Sequence, residues 1–183
     1  MNLYLIRHTK VDLKPRVCYG QTDVDVANTF LSEAESIKKQ IESIHFDRIY
    51  SSPLKRCKKL SEYLFTDEII FDKRLMELNF GKWEMQDWDK ITGSEYQEWM
   101  NNFIETPCLD GESFRELHKR VSSFIDSINS NNNNNNNNNN IAIVAHGGTI
   151  RSILTYLNNH DLKDAFNTDV DFGEVIKIKR ATN

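Results

Sequence analysis

Ile141-Ala142-Ile143-Val144-Ala145-His146-Gly147-Gly148 is the stretch that decides the fold. Five consecutive apolar residues closed by a glycine pair give the strongest strand signal in the chain. Gly147-Gly148 then opens a helix carrying Ile150, Ile153 and Leu157 on one face. Upstream, Phe114, Leu117, Val121, Phe124, Ile125 and Ile128 lay out a helical stripe beginning near Glu112. Between that helix and the strand stands an unbroken run of ten asparagines, Asn131 to Asn140. Such a tract buries no apolar surface, so residues 129–140 are expected to form a flexible surface loop.

The same alternation continues toward the N-terminus. Leu3-Tyr4-Leu5-Ile6 reads as a short buried strand, and a polar loop follows. Phe30, Leu31, Ala34, Ile37, Ile41 and Ile44 mark an amphipathic helix, and Phe46 to Tyr50 a second strand. Ser52 and Pro53 are expected to be the N-cap and first residue of the next helix. Ile69 to Phe71 and Gly173 to Ile178 complete the strands. The aromatic and acidic segment from Trp83 to Pro107 is expected to be short helices and loop, with 84–107 a small cap insertion. Strands alternating with helices indicate an α/β sandwich with a mostly parallel sheet. The 183 residues are expected to form one domain, 1–183.

Composition narrows the function. Hydrophobic residues at 39% and charged residues at 27% fit a soluble globular chain. With 23 Lys and Arg against 27 Asp and Glu, the formal charge of −4 suggests no nucleic-acid or anionic-membrane partner. An anionic substrate must therefore be held by a local cluster of cations. Met1 to Ile6 is too short an apolar run for a secretory signal, and no stretch approaches the roughly 20 apolar residues of a membrane span. Cys18, Cys57 and Cys108 are odd in number and scattered, which points to a reducing, cytoplasmic location. No Cys-x-x-Cys or His-Glu-x-x-His occurs, so no metal and no cofactor are expected. None of the three cysteines is followed by Arg at Cys-x5-Arg spacing, which excludes a cysteine-based phosphatase.

Three strands run into residues suited to phosphate chemistry: Arg7-His8-Thr9, then Ser51-Ser52-Pro53 with Arg56 one turn on, then His146-Gly147-Gly148. In a parallel α/β sheet these positions lie along the carboxyl edge, where ligands bind. The helix start at Gly147 offers backbone N–H groups and a positive dipole end to an anion. Taken singly, each residue has an ordinary structural reading. His45, His118 and His160 keep theirs, as helix-end or helix-flank histidines. The joint occurrence at successive strand ends is what carries weight.

On these residues the chain resembles the histidine phosphatase, or phosphoglycerate mutase-like, superfamily. Four blocks stand in order: Leu5-Ile6-Arg7-His8-Thr9, Tyr50-Ser51-Ser52-Pro53-Leu54-Lys55-Arg56, Leu75 to Glu84 around Glu77, and Val144-Ala145-His146-Gly147-Gly148. The resemblance implies a three-layer α/β/α sandwich and a metal-independent phosphomonoester hydrolase. It implies that His8 is the nucleophile and forms a phosphohistidine, with Glu77 the proton donor and acceptor. It implies that Arg7, Arg56, His146 and Gly147 hold the phosphate. The chemistry is coherent: permanently charged guanidiniums neutralise a phosphate dianion, and a neutral imidazole nitrogen is a competent nucleophile.

The signature departs from the usual pattern. Thr9 and Lys10 replace a Gly-Glu pair, and Lys14 stands where an asparagine is usual, so Thr9 and Lys14 are candidate substitutes for that phosphate contact. Val17 to Asp23 and Met76 to Met85 look most like the bacterial alpha-ribazole phosphatase branch. That implies the 5′-phosphate of alpha-ribazole, in cobalamin biosynthesis, as substrate. Tyr19 and Gln21 are then candidate substrate contacts, and Trp83, Trp88 and Trp99 either stack on the base or pack as core. Two alternatives stand beside this reading. One is a phosphoglycerate mutase or a broad sugar-phosphate phosphatase; the other is a non-catalytic phosphate-binding protein. The expected partner is a small phosphate ester, and the chain a monomer or homodimer.

Overall fold

The computed structural model describes residues 1–130 and 139–179. Five strands, β1 (Asn2–Arg7), β2 (Arg48–Ser51), β3 (Ile69–Phe71), β4 (Asn140–Ala145) and β5 (Val175–Lys179), form one sheet in the order β3-β2-β4-β1-β5. The first four run parallel, and β5 pairs antiparallel with β1 at the edge. Among the described residues, five α-helices accompany them: α1 (Phe30–Ile41), α2 (Lys55–Leu64), α3 (Ser94–Asn101), α4 (Phe114–Ser130) and α5 (Gly147–Asn158).

The apolar runs of β1 and β4 are explained by cover on both sides. Leu3, Leu5, Ile141, Ile143 and Ala145 point into a core with Phe114, Leu117, Val121, Phe124 and Ile125 of α4 and Ile150 and Ile153 of α5. Ile6 and Val144 point the other way, onto Ala34, Ile37 and Ile41 of α1 and Cys57, Leu60 and Leu64 of α2. Two helical layers thus enclose the sheet, the expected three-layer α/β/α arrangement.

Several boundaries differ from the sequence expectation. α1 stops at Ile41, and Ile44 closes only a turn onto the Ile41 carbonyl. The second strand starts at Arg48, because Phe46 leaves the sheet to pack edge-on against Tyr4 and Phe65. α2 begins at Lys55 with Leu54, not Ser52, as its N-cap residue. The Ser52 hydroxyl is taken up by His146, 2.8 Å away, and the Lys55 N–H is satisfied by the Asp23 carboxylate at 2.6 Å. α4 is entered through a capping box, in which Ser113 and Glu116 exchange backbone donors. Its helix runs on to Ser130, and Asn140 is already in β4, bonded to Asn2, His45 and Asp47. The rest of the expected Asn-rich loop, 131–138, lies outside the described residues. No described helix is long and apolar enough to cross a membrane.

Candidate active site

The register of the sheet assembles the site. Arg7 pairs with Ala145, so the chain leaves β1 and β4 at the same level, and His8 and His146 emerge side by side. The His8 N–H donates to the Ala145 carbonyl (3.1 Å), and the Ser52 N–H donates to the Val144 carbonyl (2.9 Å), bringing the end of β2 to the same edge. The two imidazole centroids are 5.1 Å apart. Between them comes Arg56, from the first turn of α2, with no exposed surface.

Arg56 fixes the protonation pattern. Its Nε–H lies 3.3 Å from His8 Nε2 and 3.2 Å from His146 Nδ1, so it is shared between two acceptor nitrogens. Nη1 and Nη2 donate to the Thr22 and Gly20 carbonyls. His8 Nδ1 sits 2.7 Å from the Thr9 carbonyl, which can only accept. The proton of His8 is therefore on Nδ1 and the lone pair on Nε2. By the same logic His146 carries its proton on Nε2, facing the Ser52 hydroxyl. Both rings are neutral. Burial is the largest cause holding His8 well below the ordinary value of 6.5, with the Arg56 charge next. Burial leads for His146 too, again with Arg56 behind it.

Glu77 reaches the site from a loop. Its Oε2 accepts the Gly148 N–H at 3.0 Å and its Oε1 the Leu78 N–H at 2.9 Å. The carboxylate thus caps the N-terminus of α5, a helix whose own N-cap residue, His146, makes no side-chain cap. A Cβ at residue 148 would lie 2.5 Å from Glu77 Oε1, so glycine is what allows this approach. The Glu77 carbonyl is held by Arg120 (2.8 Å) and Gln21 (3.0 Å), and Arg120 is itself paired with Glu112.

Beside these groups opens a cavity of about 310 Å³, whose lining includes Arg7, His8, Tyr19, Glu77, Gly147 and Arg151. Phe80, Trp88, Phe114 and Phe166 form its apolar wall. Arg7 Nη1 donates to the Val170 carbonyl, while its Nε is buried without a protein partner. Tyr19 lies under Arg56, 5.1 Å from ring centroid to Cζ, and burial raises its phenol from the ordinary value.

The structure brings together Arg7, His8, Arg56, Glu77, His146 and Gly147, with Tyr19 at the wall. Arg56 and His146, both without exposed surface, stand behind the cavity lining rather than in it, and Thr9, Lys14 and Gln21 are not part of it either. Lys14 is exposed on the 12–16 turn, Gln21 is engaged in holding the Glu77 backbone, and Thr9 is fully buried with its hydroxyl unpartnered. Of the tryptophans, Trp83 is core and Trp99 stacks between Trp88 and Tyr96, leaving Trp88 on the cavity wall. Cys57 is a buried neighbour of His146, its thiol pushed up to about 12 by burial.

Two residues escaped the sequence reading. Arg151 stands one turn after Gly147 on α5, half-buried in the cavity wall; its i,i+4 spacing from Gly147 was the available signal. Glu84 receives the N–H groups of Gln21, Thr22 and Phe80, tying the Tyr19 loop to the Glu77 loop. No local pattern announces it.

A family model, the histidine phosphatase superfamily (branch 1), matches residues 3–183, and the chain belongs to that superfamily. Membership makes it an enzyme of the phosphatase class. A candidate phosphoserine phosphatase 2 of Hydrogenobacter thermophilus is 29% identical, covering 96% of this chain and 88% of that protein. An Escherichia coli protein assigned as phosphoglycerate mutase GpmB is 29% identical over 69% of this chain and 62% of its own length. Among solved structures, the alpha-ribazole phosphatase of Shigella flexneri superposes with a TM-score of 0.88 at 23% identity, covering 97% of this chain and 89% of that one.

Two buried neutral imidazoles make stability depend on pH with a definite sign. Unfolding returns His8 and His146 to the ordinary 6.5, so below that value the unfolded chain binds more protons than the folded one. Their contribution is whole above 6.5 and is lost as pH falls toward the lowered folded values. Thermal denaturation between about pH 8 and about pH 5 is expected to show a falling midpoint, and His146→Gln to flatten that fall. A variant with an unchanged slope would contradict the assignment.

Proposed function

We propose that this protein hydrolyses phosphomonoesters through a phosphohistidine on His8, with alpha-ribazole 5′-phosphate as the substrate. The observation that carries the hydrolytic reading is the unprotonated His8 Nε2, fixed by the Thr9 carbonyl on one side and the Arg56 Nε–H on the other. A nucleophile poised in this way needs no base to deprotonate it. The Arg7 Nε–H, the second N–H of each Arg56 Nη and the Gly147 N–H at the start of α5 are the donors for the non-bridging oxygens. His8 Nε2 attacks phosphorus, the P–O ester bond breaks, and the departing oxygen takes a proton from the Glu77 carboxyl. Water then attacks phosphorus, Glu77 takes a proton from it, and the P–N bond breaks. Orthophosphate leaves and His8 is neutral again. His146 and the two arginines stabilise the charge that builds on the equatorial oxygens.

The alpha-ribazole reading is supported by the aromatic wall of Phe80 and Trp88 beside Tyr19, surfaces on which a flat heteroaromatic base can stack. Arg151 favours a second reading, a small phosphomonoester bearing a carboxylate such as phosphoserine or phosphoglycerate. A second guanidinium in the cavity lining, beside Arg7, is a natural carboxylate partner.

A phosphate-release screen over alpha-ribazole phosphate, phosphoserine, phosphoglycerates, nucleotides and sugar phosphates separates these. The highest kcat/KM is expected for alpha-ribazole phosphate, and His8→Ala is expected to lose about 10³-fold or more on every substrate. Preference for phosphoserine would favour the second reading, and interconversion of phosphoglycerates outpacing phosphate release would favour a mutase. Undiminished turnover by His8→Ala would sink the mechanism. Arg151→Met divides the two substrate classes further. On the alpha-ribazole reading its turnover of that substrate stays within about threefold of wild type, while any turnover of carboxylated substrates falls about tenfold or more. A tenfold loss on alpha-ribazole phosphate itself would count against the stacking account.

A further inference from the structure

The segment that leads into β5 touches the site in a way the reaction above does not use. Phe172 is 38% exposed, so little core packing explains its position. Its ring centroid lies 3.8 Å from Arg7 Cζ and 5.5 Å from the His8 ring. Two residues earlier, the buried Val170 presents its carbonyl to Arg7 Nη1 at 2.5 Å. One residue later, the Gly173 N–H donates to the His8 carbonyl (3.2 Å), and the Arg7 N–H donates to the Glu174 carbonyl (3.0 Å). The segment therefore grips both the backbone and the side chains of the Arg7-His8 pair.

We propose that residues 170–174 form a positioning strap for Arg7 and His8, with Phe172 as its working residue. An arginine at a strand end has many rotamers, and a phosphate-binding guanidinium has to be held in one of them. Here the Val170 carbonyl takes one N–H, the Phe172 face takes one side of the guanidinium plane, and the Nε–H is left for an anion. Phe172 also covers the His8 ring, which His146 contacts at 5.1 Å. The strap is itself braced: the Asp171 N–H donates to the Glu174 carboxylate (2.7 Å), and Gly173 turns the chain at φ +73°, where a side chain would be strained.

The charged and titratable groups around His8 are Arg7 at the end of β1, Arg56 from α2, His146 at the start of α5, and Tyr19, Glu77 and Arg151 of the shared cavity lining, with the Thr9 carbonyl on Nδ1. Burial is the largest of the influences that keep this ring neutral. Loss of the Phe172 ring admits water to His8 and moves its protonation upward.

The inference rests on the reading of His8 as nucleophile and Arg7 as phosphate ligand, and the experiment keeps the two apart. Phe172→Ala, Phe172→Leu and Phe172→Tyr are compared with wild type on p-nitrophenyl phosphate across pH, with inorganic phosphate as inhibitor. Phe172→Ala is expected to weaken phosphate inhibition by about three- to tenfold and to move the acid limb of kcat/KM toward the ordinary imidazole value. Phe172→Leu keeps apolar cover without the π-face, so phosphate inhibition weakens while the acid limb stays near its wild-type position. Phe172→Tyr keeps both within about twofold. Should Phe172→Ala not fold, the Leu and Tyr variants still decide the matter through the phosphate constant. A wild-type phosphate constant in Phe172→Leu, or an unmoved acid limb in a folded Phe172→Ala, would overturn the strap. Undiminished turnover by His8→Ala would instead overturn the reading beneath it.

Discussion

A single N–H group, the Nε–H of Arg56, decides what the site can do. A guanidinium cannot shed its proton, so burying it completely is costly unless its donors find acceptors. Arg56 meets this with the Gly20 and Thr22 carbonyls and with the two imidazoles, which must present lone pairs to satisfy it. Burial of the two rings, and after it the Arg56 charge, disfavours a proton on His8 and His146. The same cation that disfavours imidazolium attracts a phosphate dianion, which in the proposed reaction supplies the missing counter-charge. The neutral imidazole of the proposed nucleophile and the cationic surround thus share one buried side chain, Arg56.

The proposed acid–base group is placed by a different logic. Glu77 sits on a loop, yet its carboxylate accepts N–H groups from Leu78 and Gly148, and its carbonyl accepts from Arg120 and Gln21. Glu112 and Glu84 secure the loops on either side. The site's loops are therefore cross-linked by hydrogen bonds where sequence patterns show only polar connection. Loops bear the specific groups, and the β1–β4 register sets where those groups converge.

Much of this was legible in the sequence because the physics there is local. Continuous apolar runs at Leu3–Ile6 and Ile141–Ala145 demanded cover on both faces, and the sheet supplies it. Arg7 ends β1 with His8 next, and His146-Gly147-Gly148 directly follows β4, so the carboxyl edge gathers them whatever the loops do. Ser52 misled because an apparent N-cap serine became a partner for His146, and the open donor of α2 went to Asp23, 32 residues away in sequence. Lys14 stands in the place of a motif asparagine but stays in solvent. Arg151, Glu84 and Phe172 act through contacts between segments far apart in the chain, and no periodicity encodes such contacts.

The central claim, that His8 carries the phosphoryl group, is met most directly by rapid quenching of the enzyme turning over a substrate labelled in its phosphate, followed by mapping of the labelled peptide. Label is expected on the peptide containing His8, stable in alkali, released by acid and absent from His8→Ala. Turnover without label on that peptide, or an acid-stable label elsewhere, would contradict it.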